Sequence, residues 1–342
     1  MPTRSSTSLR ILVTGAGGFI GHHLATRLKA EGHHVRGADI KRPEYEATAA
    51  DEFLQVDLRD PANCAAAVEG MDQVYHLAAD MGGIGYISQS HAEITLNNTL
   101  MDLHMVEAAR RAGVVRFLYS SSACVYPQHL QRDADVRPLK EDDAFPAQPE
   151  EGYGLEKLYA EKFCQYVRED FGMETRIVRF HNVYGPLGTY DGGREKAPAA
   201  ISRKVAMAEP GGAIDIWGDG QQTRSFMYID DCVEGLVRLM RSDHRAPLNL
   251  GTDELVTIDE LVDIVCEAAG KTLVKRHDLA KPQGVRGRNS DNSLLRQVLG
   301  WEPGIHLREG IVPTYRWIDE EVGARAARPL RPQAAAAAAP AR

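Results

Sequence analysis

The chain predicts an α/β fold built on a doubly wound parallel sheet, with a smaller mixed α/β lobe inserted in it and appended to it. Three observations carry that expectation. Short apolar runs recur along the chain, stretches with helical periodicity separate them, and a glycine-rich turn follows the first run.

The runs fall at residues 11–14, 35–39, 53–56, 73–77, 117–120, 175–180 and 247–250. Most are too short for core helices and several are rich in β-branched residues, which suits strands buried on both faces. Residues 153–170 show a helical period, with apolar positions 155, 158, 159, 163, 166 and 167 on one face. From about residue 183 the alternation loosens, interrupted by Pro186, Pro198, Pro210 and many glycines, and it tightens again over 226–250. The expected division is a cofactor domain at 9–182, with 226–250 returning to it, and a substrate lobe at 183–225 and 251–320. Residues 1–8 and 322–342 read as flexible tails, the second because of its prolines and the alanine run at 334–339.

At 342 residues the chain can bury sizeable cores in two lobes. Its 43% hydrophobic and 26% charged residues are an ordinary soluble composition. A net charge of −8 gives no support for wrapping nucleic acid. No apolar run approaches the roughly 20 residues that cross a bilayer, and residues 1–10 lack the apolar core of a signal peptide. The five cysteines have no Cys-x-x-Cys spacing, so neither a metal site nor a disulfide framework is indicated. A reducing cytoplasm is the expected location, and it keeps thiols available.

Gly15-Ala16-Gly17-Gly18-Phe19-Ile20-Gly21 follows the first strand and opens a helix near Phe19. Glycines there allow a tight turn and let backbone amides approach a pyrophosphate at a helix N-terminus. Asp39 ends the second strand, where a carboxylate accepts bonds from ribose hydroxyls and repels a 2′-phosphate, so NAD is favoured over NADP. Asp57 and Leu58 end the third strand, on the adenine side. This is the Rossmann pattern.

Tyr153 and Lys157 stand four residues apart on one helix and project to the same side. A phenol titrates near a pKa of about 10. A nearby ammonium favours phenolate, which lets Tyr153 take a proton from an alcohol as hydride leaves. Lys157 is also placed to hold the nicotinamide ribose, and Ser122 to hydrogen-bond the same alcohol oxygen.

These residues, together with Ala78-Ala79-Asp80-Met81-Gly82-Gly83, Ser121-Ser122-Ala123-Cys124-Val125-Tyr126-Pro127 and Tyr153-Gly154-Leu155-Glu156-Lys157, resemble the extended short-chain dehydrogenase/reductase family. The resemblance is to its sugar-nucleotide epimerase/dehydratase branch and spans about residues 10–318. Ser-Ala-Cys and Gly192-Gly193-Arg194-Glu195-Lys196 are more specific and are similar to segments of the GDP-mannose 3,5-epimerases. The resemblance implies transient oxidation at sugar C4, which acidifies the hydrogens at C3 and C5. It implies that Cys124 and Lys196 move those protons on opposite faces. Dehydratase relatives carry an Asp-Glu pair where this chain has Ala123 and Cys124, so elimination is disfavoured. Burial is expected to lower the Lys196 pKa, and a nearby ammonium that of Cys124.

The implied activity is NAD-dependent epimerisation of GDP-mannose at C5 and C3, to GDP-L-galactose and GDP-L-gulose. A C4-epimerase or 4,6-dehydratase of another nucleotide sugar, and an NAD-binding sensor or scaffold, are the alternatives. The cofactor set is Gly15, Gly18, Phe19, Ile20, Gly21, Asp39, Asp57, Leu58 and Ala78, with Tyr153 and Lys157. Substrate contacts are expected from Gly82, Asn182, Lys196, Lys204, Gln222, Arg224 and Arg288, with Arg286 behind them, since arginine suits bidentate phosphate contacts. Trp217 reads as a core or lobe-interface residue. A homodimer through helices at 98–111 and 153–170 is also implied.

Overall fold

The computed structural model describes residues 8–327. The first half of the chain alternates strand and helix: β1 (Arg10–Thr14), α1 (Phe19–Ala30), β2 (His34–Asp39), β3 (Glu52–Gln55), α2 (Pro61–Val68), β4 (Gln73–His76), α3 (Ile84–Ile87), α4 (His91–Arg111), β5 (Arg116–Ser122), α5 (Tyr153–Phe171) and β6 (Glu174–Phe180). The second half is finer grained. It holds β7 (Val183–Tyr184), α6 (Ala197–Met207), β8 (Ala213–Trp217), β9 (Thr223–Ser225), β10 (Met227–Tyr228), α7 (Ile229–Arg241) and β11 (Pro247–Leu250). It continues through β12 (Leu255–Thr257), α8 (Ile258–Ala269), β13 (Val274–Asp278), β14 (Gly287–Arg288), α9 (Ser293–Leu299) and α10 (Leu307–Ala327).

Seven strands form one sheet in the order β11-β6-β5-β4-β1-β2-β3, and all its pairings are parallel. They are the seven apolar runs of the sequence. Alternating side chains send Ile11, Val13 and Leu118 to one buried cluster and Leu12, Phe117 and Tyr119 to the other. Both faces are covered, which is why the strands read as almost continuous apolar runs. The chain reverses its direction of winding between β1 and β4, and the crevice at that switch point is where ligands bind in such sheets.

The smaller sheets, β12-β9-β14 and β13-β8, come from the second half of the chain. Helix α10 continues past residue 322, where a tail was expected, to Ala327. Residues 1–7 and 328–342, with the rest of the expected tails, lie outside the described residues. In α5 the expected helix is present, but its apolar stripe is only partly covered, with Leu158 and Val167 buried. Leu155, Tyr159 and Tyr166 are exposed, whereas Glu156, Lys157 and Glu161 are buried. Trp217, expected in the core or at the lobe interface, is 41% exposed and so is not a core residue.

Candidate active site

A cleft of about 690 Å³ opens at the carboxyl ends of the strands. Its wall includes Gly15, Gly18, Phe19, Ile20, Gly21, Asp39, Asp57, Leu58, Ala78, Ser122, Tyr153 and Lys196. Three glycines make a cradle that side chains would fill. A Cβ on Gly21 would lie 2.2 Å from the Gly15 carbonyl oxygen, and one on Gly17 would lie 2.0 Å from that of Lys41. Gly15 has φ of +70°. Gly18 caps α1 without any side-chain hydrogen bond, so first-turn amides of the helix are left for an anion. Asp39 accepts from the amides of Gly17 and Lys41, each at 3.0 Å. Burial raises its pKa, against the pull of those amides. Asp57 is paired with Arg59 at 2.6 Å. The cradle, the orphan amides and the carboxylate at the end of β2 fit a dinucleotide.

Tyr153 begins α5 on the cleft wall. The glycine after it is required by packing, because a Cβ on Gly154 would lie 2.2 Å from the Cys124 carbonyl oxygen. Helix α5 therefore brings Tyr153 against the Cys124 turn, where the two side chains pack with Ile94. Lys157 is fully buried behind this wall. Its Nζ donates to Asp102 Oδ2 at 3.2 Å and lies 5.7 Å from the Tyr153 ring centre. Asp102 also accepts from Tyr119 at 2.7 Å and bonds His76 at 3.0 Å, and His76 in turn bonds Thr14 at 2.8 Å. Burial works against the Lys157 charge, but Asp102 and Glu156 hold the ammonium above its ordinary pKa. Contrary to expectation, the Tyr153 phenol is raised rather than lowered, because burial outweighs the Lys157 charge.

Cys124 sits in a one-turn 3-10 helix just after β5 and is 7% exposed. Its amide donates to Ser122 Oγ at 3.2 Å. The amide of Glu150 donates to its carbonyl at 3.0 Å. Arg288 Nη1 donates toward Cys124 Sγ at 3.6 Å, while the same guanidinium bonds Gln131 at 2.6 Å and pairs with Glu150. The expected lowering of the thiol pKa is reversed. Burial pushes it up and Glu150 adds to the rise, against Arg288 and the Ser122 hydrogen bond. Lys196 caps α6 at the cleft wall. Burial lowers its pKa, and the charge of Cys124 acts on it in the opposite direction.

The other expected substrate contacts are placed around the site rather than on the cleft wall. Asn182 donates to the Ser225 carbonyl at 3.0 Å, and Gln222 donates to that of Trp217 at 2.9 Å. Gln222 Oε1 and Ser225 Oγ are buried without a hydrogen-bond partner. Lys204 donates to the Asp215 carbonyl at 2.6 Å. Arg224 bonds the carbonyls of Thr223 and Val285, each at 2.7 Å, and burial lowers its pKa to about 10. Arg286 is paired with Asp219 at 2.7 Å. A Cβ on Gly82 would press on Tyr86 and Arg194. Glu150, Asp102 and Arg194 were not singled out from the sequence. Only Arg194 carried a signal, as part of the Gly-Gly-Arg-Glu-Lys segment.

Among the described residues no group of three His, Cys, Asp or Glu side chains is arranged to hold a metal. Residues 11–251 match the model of the NAD dependent epimerase/dehydratase family. The chain belongs to this family. A relative, the GDP-mannose 3,5-epimerase of Arabidopsis thaliana, is 51% identical over 319 residues, 93% of this chain and 84% of that protein. The UDP-glucose 4-epimerase of Thermotoga maritima, solved with UDP-glucose, superposes with a TM-score of 0.82 at 25% identity, covering 92% of this chain and 100% of that one. The UDP-glucose 4-epimerase of Thermus thermophilus, solved with NAD, gives 0.79 at 25% identity, over 91% and 99%. As a member of the family the chain is a nucleotide-sugar epimerase, and NAD is its cofactor.

Proposed function

We propose that the enzyme inverts GDP-mannose at C5 and C3, giving GDP-L-galactose and GDP-L-gulose, with Cys124 and Lys196 carrying the protons. The observation that supports this most is the packing of the Cys124 thiol against Tyr153 beside a cleft that Lys196 also lines. When bound, NAD supplies a reversible hydride acceptor for sugar C4. Gly15, Gly18 and Gly21 leave room for its pyrophosphate at the α1 amides, and Asp39 is the acceptor for its ribose hydroxyls. Tyr153 takes the C4 hydroxyl proton and later returns it, with Ser122 holding the same oxygen. The 4-ketone makes the C3 and C5 hydrogens acidic.

Cys124 and Lys196 then work as a pair that shares one mobile proton. Thiol with amine and thiolate with ammonium hold the same number of protons, and each form contains one acid and one base. One group removes a ring proton and the other supplies a proton to the opposite face. Burial disfavours the charged state of both groups, so a proton moves between them and the sugar without leaving an isolated charge. Ala123 supplies no acid to expel a hydroxyl, which argues against dehydration. Inversion at C4 alone would leave the thiol without a role.

The pairing of two copies belongs to the same reading. Leu96 on α4 and Leu155, Tyr159 and Tyr166 on α5 are 60%, 57%, 54% and 53% exposed. Such a stripe suits a homodimer joined through these two helices. All five cysteines are free, which suits a reducing cytoplasm. The test of the activity is incubation of the purified protein with GDP-mannose, without added NAD, and assignment of the sugars by NMR. Products inverted at C5 and C3 are expected. An unchanged sugar, or one inverted at C4 alone, rules the proposal out.

A further inference from the structure

Two segments that meet at the cleft supply Asp80, Met81, Arg194 and Lys196 to its wall. One is the segment 79–87 that follows β4, and the other is the loop 192–196 that leads into α6. Arg194 spans them. Its Nη1 donates to Asp80 Oδ1 at 2.9 Å, and its guanidinium lies 3.8 Å from the centre of the Tyr86 ring. Asp80 is itself held in place by Asn97 and by the Tyr86 hydroxyl, each at 2.9 Å. The Gly83 amide donates to the Arg194 carbonyl at 3.1 Å. Gly83 is a glycine for a reason, since a Cβ there would lie 2.6 Å from the Glu195 carbonyl oxygen. The two segments therefore touch through side chains and backbone at once.

The rest of the loop is arranged to let them part. Gly192 and Gly193 have φ of +94° and +85°, and a Cβ on either would meet nothing within 4 Å. On one side of this glycine pair, Asp191 pairs with Arg325 of α10 at 3.2 Å, and the Tyr190 ring packs edge-on against Trp317 at 5.5 Å. On the other side, Glu195 pairs with Arg203 of α6 at 3.2 Å, and Lys196 is fixed as the cap of that helix, accepting from the Ala200 amide at 2.9 Å. Between these anchors, residues 192–194 are tied by the Gly193 amide on Glu195 Oε2 at 2.7 Å and by the Arg194 contacts, and with two glycines they are the part able to swing once those open. The Arg194 side chain is 50% exposed, and an ion pair at that exposure is individually weak and opens readily.

We propose that Asp80 and Arg194 are positioning residues that form a latch, hinged at Gly192 and Gly193, closing the mouth of the cleft over Lys196. The closed latch keeps water and reagents from the Lys196 amine while the keto-sugar is bound, and its opening exchanges substrate for product. That purpose rests on the role given to Lys196 above; the latch geometry does not.

The test is the rate at which a small acylating reagent labels Lys196 in the NAD-loaded protein, read by peptide mass spectrometry. Lys204, further along α6, is the internal reference. Arg194→Gln and Asp80→Asn should each speed Lys196 labelling roughly tenfold, the factor that corresponds to about 1.4 kcal/mol, with Lys204 unchanged and Arg194→Lys close to wild type. The double variant should be no faster than either single one. Labelling of Lys196 at the wild-type rate in both single variants overturns the latch. Faster labelling, combined with full activity in Lys196→Met, keeps the latch and removes the catalytic role of Lys196. Arg194 is half exposed, so its glutamine variant folds, and NAD content measured after purification verifies that.

Discussion

The two halves of the site hold their charges differently. Behind Tyr153, Lys157, Asp102, His76, Tyr119 and Thr14 are all buried and bonded to one another. Beside it, Cys124 faces Glu150 and Arg288, which come from distant parts of the chain, and Lys196, whose side chain makes no hydrogen bond or ion pair with the other described residues. The first half is a closed network of bonded groups; in the second, burial disfavours the charged forms of Cys124 and Lys196, the two groups proposed to exchange a proton. Alcohol oxidation needs one tyrosine held in constant surroundings. Moving a proton across a ring needs an acid and a base that exchange states.

The comparison is sharpened most by Tyr153→Phe. It removes the only hydroxyl on that helix turn and should lower kcat by about 10³-fold with folding intact. Steady-state kinetics with an unfolding curve checks it, and a small loss would transfer the proton to another group. Asp102→Asn attacks the closed network itself. It strands the buried Lys157 ammonium and should cost about 3–5 kcal/mol of stability by urea unfolding. Glu150→Gln strands the Arg288 guanidinium in turn, in a pair whose side chains are 10% and 15% exposed, and should cost somewhat less.

A pH series separates the halves further. Burial raises Glu156 to about 8, with Asp102 adding to it against Lys157. The folded chain then holds a proton that the unfolded chain releases near the ordinary carboxylate value. That contribution is present below the ordinary value and is lost as pH rises through about 8. Stability should therefore fall between those limits, and Glu156→Gln should flatten the slope. The smallest effect is kinetic. Glu150 raises the Cys124 pKa, so Glu150→Gln should move the thiol limb of the kcat/KM profile to lower pH. A separate check, on assembly, is Tyr159→Glu, which should give monomers in sedimentation.

The sheet was legible because strands covered on both faces write themselves as apolar runs, and all seven were found. The glycine turn was legible because backbone geometry permits few residues there, and Asp39 ends β2 beside it, accepting from the Gly17 amide. Helix α5 was legible only as a helix. Its buried face mixes Leu158, Ala160, Cys164 and Val167 with Glu156, Lys157 and Glu161, which meet charged or polar partners from α4, β5 and β6, and part of its apolar stripe is left outside. The titration of Cys124 was not legible either. It depends on Glu150, whose place beside the thiol is set by a backbone hydrogen bond and by Arg288, more than a hundred residues further along the chain. Lys204 and Arg224 looked like phosphate ligands by type, but type alone does not reveal the carbonyls they bond.

The most direct measurement is deuterium uptake from heavy water at C5 and C3 of GDP-mannose, followed by NMR in wild type and in Cys124→Ala. The account predicts uptake at both carbons in wild type without added NAD, and a loss of at least about a hundredfold in the variant. Uptake at the wild-type rate in Cys124→Ala would contradict it, leaving the thiol as packing beside an otherwise intact oxidation site.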